Sequence, residues 1–322
     1  MKVGILGAGA IAEIMANTIN GMKDAECYAI ASRTLSKAED FKNKFGFKKA
    51  YGSYEELVTD PEVELIYIAT PHSRHYEDMK LCIKNHKPVL CEKAFTVNAN
   101  QAKEIKRLAK ENNVFVTEAI WTRYMPSRSL INETIKSGII GDVKFITGDL
   151  SYPITFKPRL VDPNLAGGSL LDLGVYGINF ASMIMGDDIE GYTTSMQLTD
   201  TGVDGNETIT LMYPNKVMAT VTHSMYVRGS RKGIVSGDKG YIVIENINNP
   251  FSIKVYDPDD NFIKEVEIPN QITGYEYEVL EAKKCIEEGR IESYSMPLDE
   301  TIKIMELMDN IRKDWGLKYP FE

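Results

Sequence analysis

VGILGAGAIA, residues 3–12, is the stretch whose reading decides the fold. Val3 to Leu6 form a short apolar run of the kind a strand buried on both faces requires. The run passes directly into GxGxxA, with Gly7, Gly9 and, in the third small position, Ala12. Gly7 permits a tight turn, Gly9 lets the backbone approach a pyrophosphate, and Ala12 lets helix and strand pack closely. The helix start offers free N–H groups and a positive dipole end to phosphates. Ala10 and Ile11 therefore join Gly7, Gly9 and Ala12 as expected cofactor residues. An isolated glycine pattern is weak evidence. The strand before it and the helical pattern after it make this one specific.

Working outward, further apolar runs lie at 27–31, 65–70, 88–91 and 114–119, with helical patterns such as Gln101–Glu111 between them. Strand–helix alternation predicts a doubly wound parallel sheet, a Rossmann domain, over residues 1–120. At the end of the second run an NAD site usually carries an acid for the ribose hydroxyls. Here Ser32 and Arg33 stand instead. Charge-assisted hydrogen bonds to a 2′-phosphate are worth about 1.5–3 kcal/mol each, so NADP is expected, with NAD possible. Ligands of such sheets lie beyond the carboxyl ends of the strands. That rule adds Thr70, Pro71, His72, His75, Glu92 and Lys93 to the cofactor set. In KPVLCEKAFTV, residues 87–97, a lysine follows a buried run at once, and a buried ammonium needs a partner.

Residues 121–322 read differently. Runs at 143–152, 208–213, 216–224, 241–245, 252–257 and 262–268, several alternating in type, predict a large, mostly antiparallel sheet with helices on one face. The expected class is α/β, with an α+β domain after the parallel one. A partner subunit is expected over the other face, making a homodimer or larger homo-oligomer. A final helix over 298–315 is expected to pack on one domain or to close the gap between them. In AGGSLLDLGVYG, Asp172 and Tyr176 stand four apart and share a helix face.

A chain of 322 residues exceeds one ordinary core, so two domains are the default. A net charge of −9 argues against a nucleic-acid partner. No apolar run approaches the roughly 20 residues of a membrane span, so no membrane partner is expected. Lys2 leading directly into VGIL does not read as a secretory signal. Four cysteines without paired spacing suggest neither zinc nor disulfides, and a cytoplasmic location is expected.

GAGAIA, CEKAFTVNA, EAIWTRYMP and AGGSLLDLGVYG, in that order and spacing, resemble the Gfo/Idh/MocA oxidoreductase family along essentially the whole chain. The similarity is to the branch of dihydrodiol dehydrogenase, glucose–fructose oxidoreductase and NADP-dependent xylose dehydrogenase. It implies hydride transfer between nicotinamide and a sugar or vicinal diol. It also implies that Lys93, Asp172 and Tyr176 form the catalytic set, and that Trp121 and Arg123 join Tyr176 in binding substrate. Either Tyr176, helped by Lys93, or Lys93 itself would move the proton. The family usually has proline after the EK pair, whereas this chain has Ala94. A trans Lys93–Ala94 bond is therefore expected. Two other readings stay open: an imine or biliverdin-type reductase on the same scaffold, and a non-catalytic regulator that senses NADPH.

Overall fold

A computed structural model describes all residues, Met1–Glu322. The chain forms two compact units: Met1–Tyr124 with Gln271–Met305, and Met125–Asn270 with Glu306–Glu322.

In the first unit six parallel strands, β1 (Lys2–Leu6), β2 (Glu26–Ala31), β3 (Lys49–Tyr51), β4 (Leu65–Ile68), β5 (Val89–Glu92) and β6 (Val116–Ala119), are ordered β3-β2-β1-β4-β5-β6. This is the order of a dinucleotide-binding sheet. Five helices connect the strands: α1 (Ala10–Gly21), α2 (Leu35–Phe45), α3 (Tyr54–Val58), α4 (His72–Lys84) and α5 (Ala99–Asn112). Val3, Ile5, Ile30, Leu65 and Leu90 of the strands are fully buried, as are Ala12, Met15 and Ile19 of α1. Each such Ile or Leu contributes about 1.5–3 kcal/mol of burial. β3, only KAY, has no apolar run and was not expected.

In the second unit eight strands form one sheet: β7 (Val143–Ser151), β8 (Gly191–Leu198), β9 (Asp204–Tyr213), β10 (Val217–Ser224), β11 (Gly233–Gly237), β12 (Gly240–Glu245), β13 (Ser252–Tyr256) and β14 (Phe262–Val266). Their order is β14-β13-β12-β11-β7-β10-β9-β8, and β7 with β10 is the parallel pair. Along β9 and β10 buried Ile209, Leu211, Ala219 and Val221 alternate with half-exposed Thr208, Thr210, Thr220 and Thr222. β8 and β11 escaped the sequence reading because GYTTSMQL and GIVSG carry few apolar residues. Helices α6 (Pro126–Lys136), α7 (Pro158–Val161) and α8 (Val175–Met185) complete this part, with Phe180 of α8 seated on Gly148 and Gly233 of the sheet.

The second unit is not the uninterrupted 121–322 expected from composition. Trp121–Tyr124 and Gln271–Met305 belong to the first. The returning segment contains α9 (Glu276–Glu287), whose Val279, Ala282 and Cys285 join Leu90, Phe115 and Ala119 in one apolar cluster. An apolar helix face goes wherever a matching core exists, whatever its distance in sequence. The last long helix, α10 (Leu298–Asp314), is shared, with residues up to Met305 in the first unit and the rest in the second. One helical stretch, Pro163–Met185, is long and apolar enough to cross a membrane by length and composition, contrary to the sequence reading. Its most apolar window is 83% buried inside the protein, so core packing accounts for its apolarity.

Candidate active site

The candidate site is built on strand ends. Gly7 closes β1 at φ +98°, a conformation that favours glycine, and a Cβ there would meet the Ala69 carbonyl oxygen at 2.9 Å. Gly9 caps α1 with no side-chain hydrogen bond, and nothing lies within 4 Å of where its Cβ would stand. Open space therefore faces the first N–H groups of a twelve-residue helix, which fits a pyrophosphate. At the end of β2, Ser32 is 8% exposed and Arg33 is exposed. Ser32 does not cap α2, whose N-cap is Thr34. Neither residue is an acid, so the site suits a 2′-phosphate better than a bare ribose diol.

Beyond β4, the Thr70 hydroxyl donates to Asp78 at 2.7 Å, and Arg74 pairs with the same carboxylate at 2.9 Å. Pro71 is the N-cap of α4, and His72, 5% exposed, meets the His75 ring edge-on. His75 departs from its expected role as a cofactor neighbour. It is fully buried, with Nδ1 2.8 Å from the Ala94 carbonyl oxygen and Nε2 2.9 Å from that of Thr70. It braces the two loops from behind, and neither ring nitrogen is left for a ligand.

β5 ends in Glu92, which accepts from the buried Tyr67 hydroxyl, and half-buried Lys93 follows at once. The Lys93–Ala94 peptide bond is cis, not trans as expected without proline. The residue type does not set this geometry. Ala94 and Phe95 are fully buried, with the Ala94 carbonyl facing His75 and the Phe95 N–H donating to Glu118 at 3.1 Å. Glu118 also accepts from Thr301 at 3.2 Å, and burial pushes its carboxyl up to about 7.

Trp121, 8% exposed, stacks on Tyr275 with ring centroids 4.1 Å apart. Nothing local in the sequence links these two residues, so Tyr275 was missed. Arg123 departs from its expected substrate role. Its side chain is 1% exposed and ion-paired with Glu300, so a planar fork that could hold a substrate is engaged inside the protein.

In the second unit Leu170–Gly174 forms a wide π turn that continues into α8. Wide turns of this kind are frequent at functional sites. A separation of four residues stays close to one turn in either geometry, so Asp172 and Tyr176 share a face as predicted. Each is 7% exposed, and Arg159 lies 3.7 Å from Asp172. Lys93 belongs to the first unit, Asp172 and Tyr176 to the second.

A model of the Gfo/Idh/MocA oxidoreductase family, NAD-binding Rossmann fold, matches residues 1–120, and a model of that family's C-terminal domain matches 129–243. Trans-1,2-dihydrobenzene-1,2-diol dehydrogenase of Mus musculus is 34% identical over 99% of this chain and 98% of its own length. The Homo sapiens enzyme is 32% identical over the same shares. Among solved structures, KijD10, a 3-ketoreductase from Actinomadura kijaniata in complex with NADP and TDP-benzene, superposes with TM-score 0.89 at 21% identity, covering 97% of each chain. The aldose-aldose oxidoreductase from Caulobacter crescentus complexed with glycerol gives 0.87 at 20% identity over 98% of each.

Proposed function

The chain belongs to the Gfo/Idh/MocA oxidoreductase family, with an NAD(P)-binding Rossmann unit, and from that premise we propose that it moves a hydride between NADP and a C–OH or C=O group of a vicinal diol or sugar. One observation carries this reading: Gly7, Ser32, Thr70 and Lys93 stand at the carboxyl ends of β1, β2, β4 and β5, the edge where such sheets bind nucleotides. The diol and sugar classes come from the names of the relatives and structural neighbours.

A nicotinamide held there would give a hydride from C4 in reduction and accept one at C4 in oxidation. The chain's own residues do the rest. The N–H groups opening α1 hold the pyrophosphate, and Ser32 with Arg33 holds the 2′-phosphate. Tyr176 gives a proton to the substrate oxygen in reduction and takes one in oxidation. A phenol has an ordinary pKa near 10, so it needs a neighbouring cation to favour its ionised form. Asp172 and Lys93 complete the proposed catalytic set. Trp121, backed by Tyr275, offers a rigid apolar plate to a ring or sugar face.

Fluorescence titration with NADPH and with NADH tests the cofactor assignment. Tight NADPH and weak NADH are expected. Arg33→Ala should weaken NADPH about tenfold or more and NADH little. Equal loss of both would overturn the 2′-phosphate assignment.

A homodimer or larger homo-oligomer is part of the same proposal. Phe145 and Met218, each 40% exposed, lie on the sheet face opposite the one buried beneath α8. Light scattering that gives a clean monomer would remove it. The four cysteines, all free and buried, fit a reducing cytoplasm.

A further inference from the structure

Behind the helix that carries Asp172 and Tyr176 lie three ionisable side chains that the proposed reaction does not use. Asp204 and Glu207 are on β9, and His223 on β10 is the direct cross-strand partner of Glu207. They are 2%, 4% and 2% exposed. His223 Nδ1 lies 3.0 Å from Glu207 Oε1, but the two are not aligned as a hydrogen bond. Both His223 nitrogens lack an aligned partner within the protein, and the Glu207 carboxyl has only that of Asp204 to share a proton with. Buried ionisable groups add less stability than apolar residues of similar volume, so core stability does not account for this set.

The segment AGGSLLDLGVYG meets the three groups one by one, each time through a glycine. A Cβ on Gly168 would overlap the Asp204 carboxylate, one on Gly174 would overlap Glu207 Oε1, and one on Gly177 would overlap His223 Nε2. Gly168 has φ +124°, and the N–H of Leu170 donates to Asp204 at the entry to the π turn. Gly174 and Gly177, three apart, share the face turned to the sheet, whereas Asp172 and Tyr176, four apart, share another.

We propose that Asp204, Glu207 and His223 are positioning residues: with Gly168, Gly174 and Gly177 they form a fitted polar seat that fixes the rotation of the reactive helix, and hence the aim of Asp172 and Tyr176. The seat contacts neither substrate nor cofactor. It acts through the helix backbone, and this inference rests on the roles proposed for Asp172 and Tyr176.

The test is Gly177→Ala, alone and combined with His223→Ala, assayed with NADP and trans-1,2-dihydrobenzene-1,2-diol beside Tyr176→Phe. The added methyl should lower kcat at least tenfold, with the Kd for NADPH within twofold of wild type. Removing the imidazole takes away the two closest contacts of that methyl and leaves Val221 Cβ at 3.0 Å, so the double variant should recover part of the rate lost in Gly177→Ala. A merely structural role would lower the melting temperature in step with kcat in both variants, whereas the seat predicts a loss of kcat larger than the loss of stability accounts for. Wild-type kcat in Gly177→Ala, or a double variant slower than the single, overturns the seat. If Gly177→Ala does not fold, a folded and active double variant supports the seat, and an unfolded or inactive one overturns it. An active Tyr176→Phe, or a wild type without turnover, would instead remove the reading beneath it.

Discussion

The imidazole of His75 stands 2.8 Å from the carbonyl oxygen of Ala94, the residue that follows Lys93, and so joins the loop after β4 to the EK turn. Both ring nitrogens face carbonyl oxygens, yet burial holds the ring below its ordinary pKa, so one N–H donates at a time. His75→Ala should leave a buried carbonyl unpaired, which costs about 1–3 kcal/mol. The loss should appear in thermal melting together with weaker NADPH binding. A lower melting point with unchanged NADPH affinity would limit His75 to the core.

Tyr176→Phe removes one oxygen and little volume. As the proton-transferring group it should lower kcat about a hundredfold or more, with NADPH affinity unchanged. Lys93→Met should abolish turnover in the same way and leave a folded, NADPH-binding protein. Wild-type rates in either variant would take that residue out of the mechanism.

Arg123, paired with Glu300, should matter for stability and not for substrate. Removing one partner of a buried ion pair costs about 3–5 kcal/mol, although Glu300, about one-third exposed, reduces that figure. Arg123→Leu should melt lower with KM unchanged. A raised KM at unchanged melting temperature would restore the substrate role.

The acids of the seat predict a pH dependence. Burial, with the neighbouring Glu207 carboxyl, pushes Asp204 up to about 8, and burial pushes Glu207 up to about 8 as well. A carboxyl raised on folding stabilises the native state fully below its unfolded pKa, and that contribution is lost as pH rises through the folded value. His223, lowered by burial to about 3, opposes this below its ordinary 6.5. Stability should therefore fall as pH rises from 6.5 through about 8, where the carboxyl pair loses its protons. Glu207→Gln should flatten that slope in melting curves recorded at pH 6.5 and 8.5. An unchanged slope would mean that Glu207 does not titrate there.

Sequence alone determined what depends on neighbours along the chain. β1, the Gly7 turn and the start of α1 were legible because an apolar run, a glycine and a helical pattern adjoin. The shared face of Asp172 and Tyr176 followed from helical spacing. Tertiary structure alone decided what depends on partners far away in the chain. β3, β8 and β11 are held by neighbouring strands more than by their own composition. Gln271–Met305 returns to the first unit because its apolar face matches that core, which brings Tyr275 to Trp121 and Glu300 to Arg123. The ring of His75, the geometry at Ala94 and the fit of Gly168, Gly174 and Gly177 onto Asp204, Glu207 and His223 are likewise contacts across strands and loops. Local propensity restricts backbone angles, but it carries no record of which distant side chain will fill the space beside a glycine.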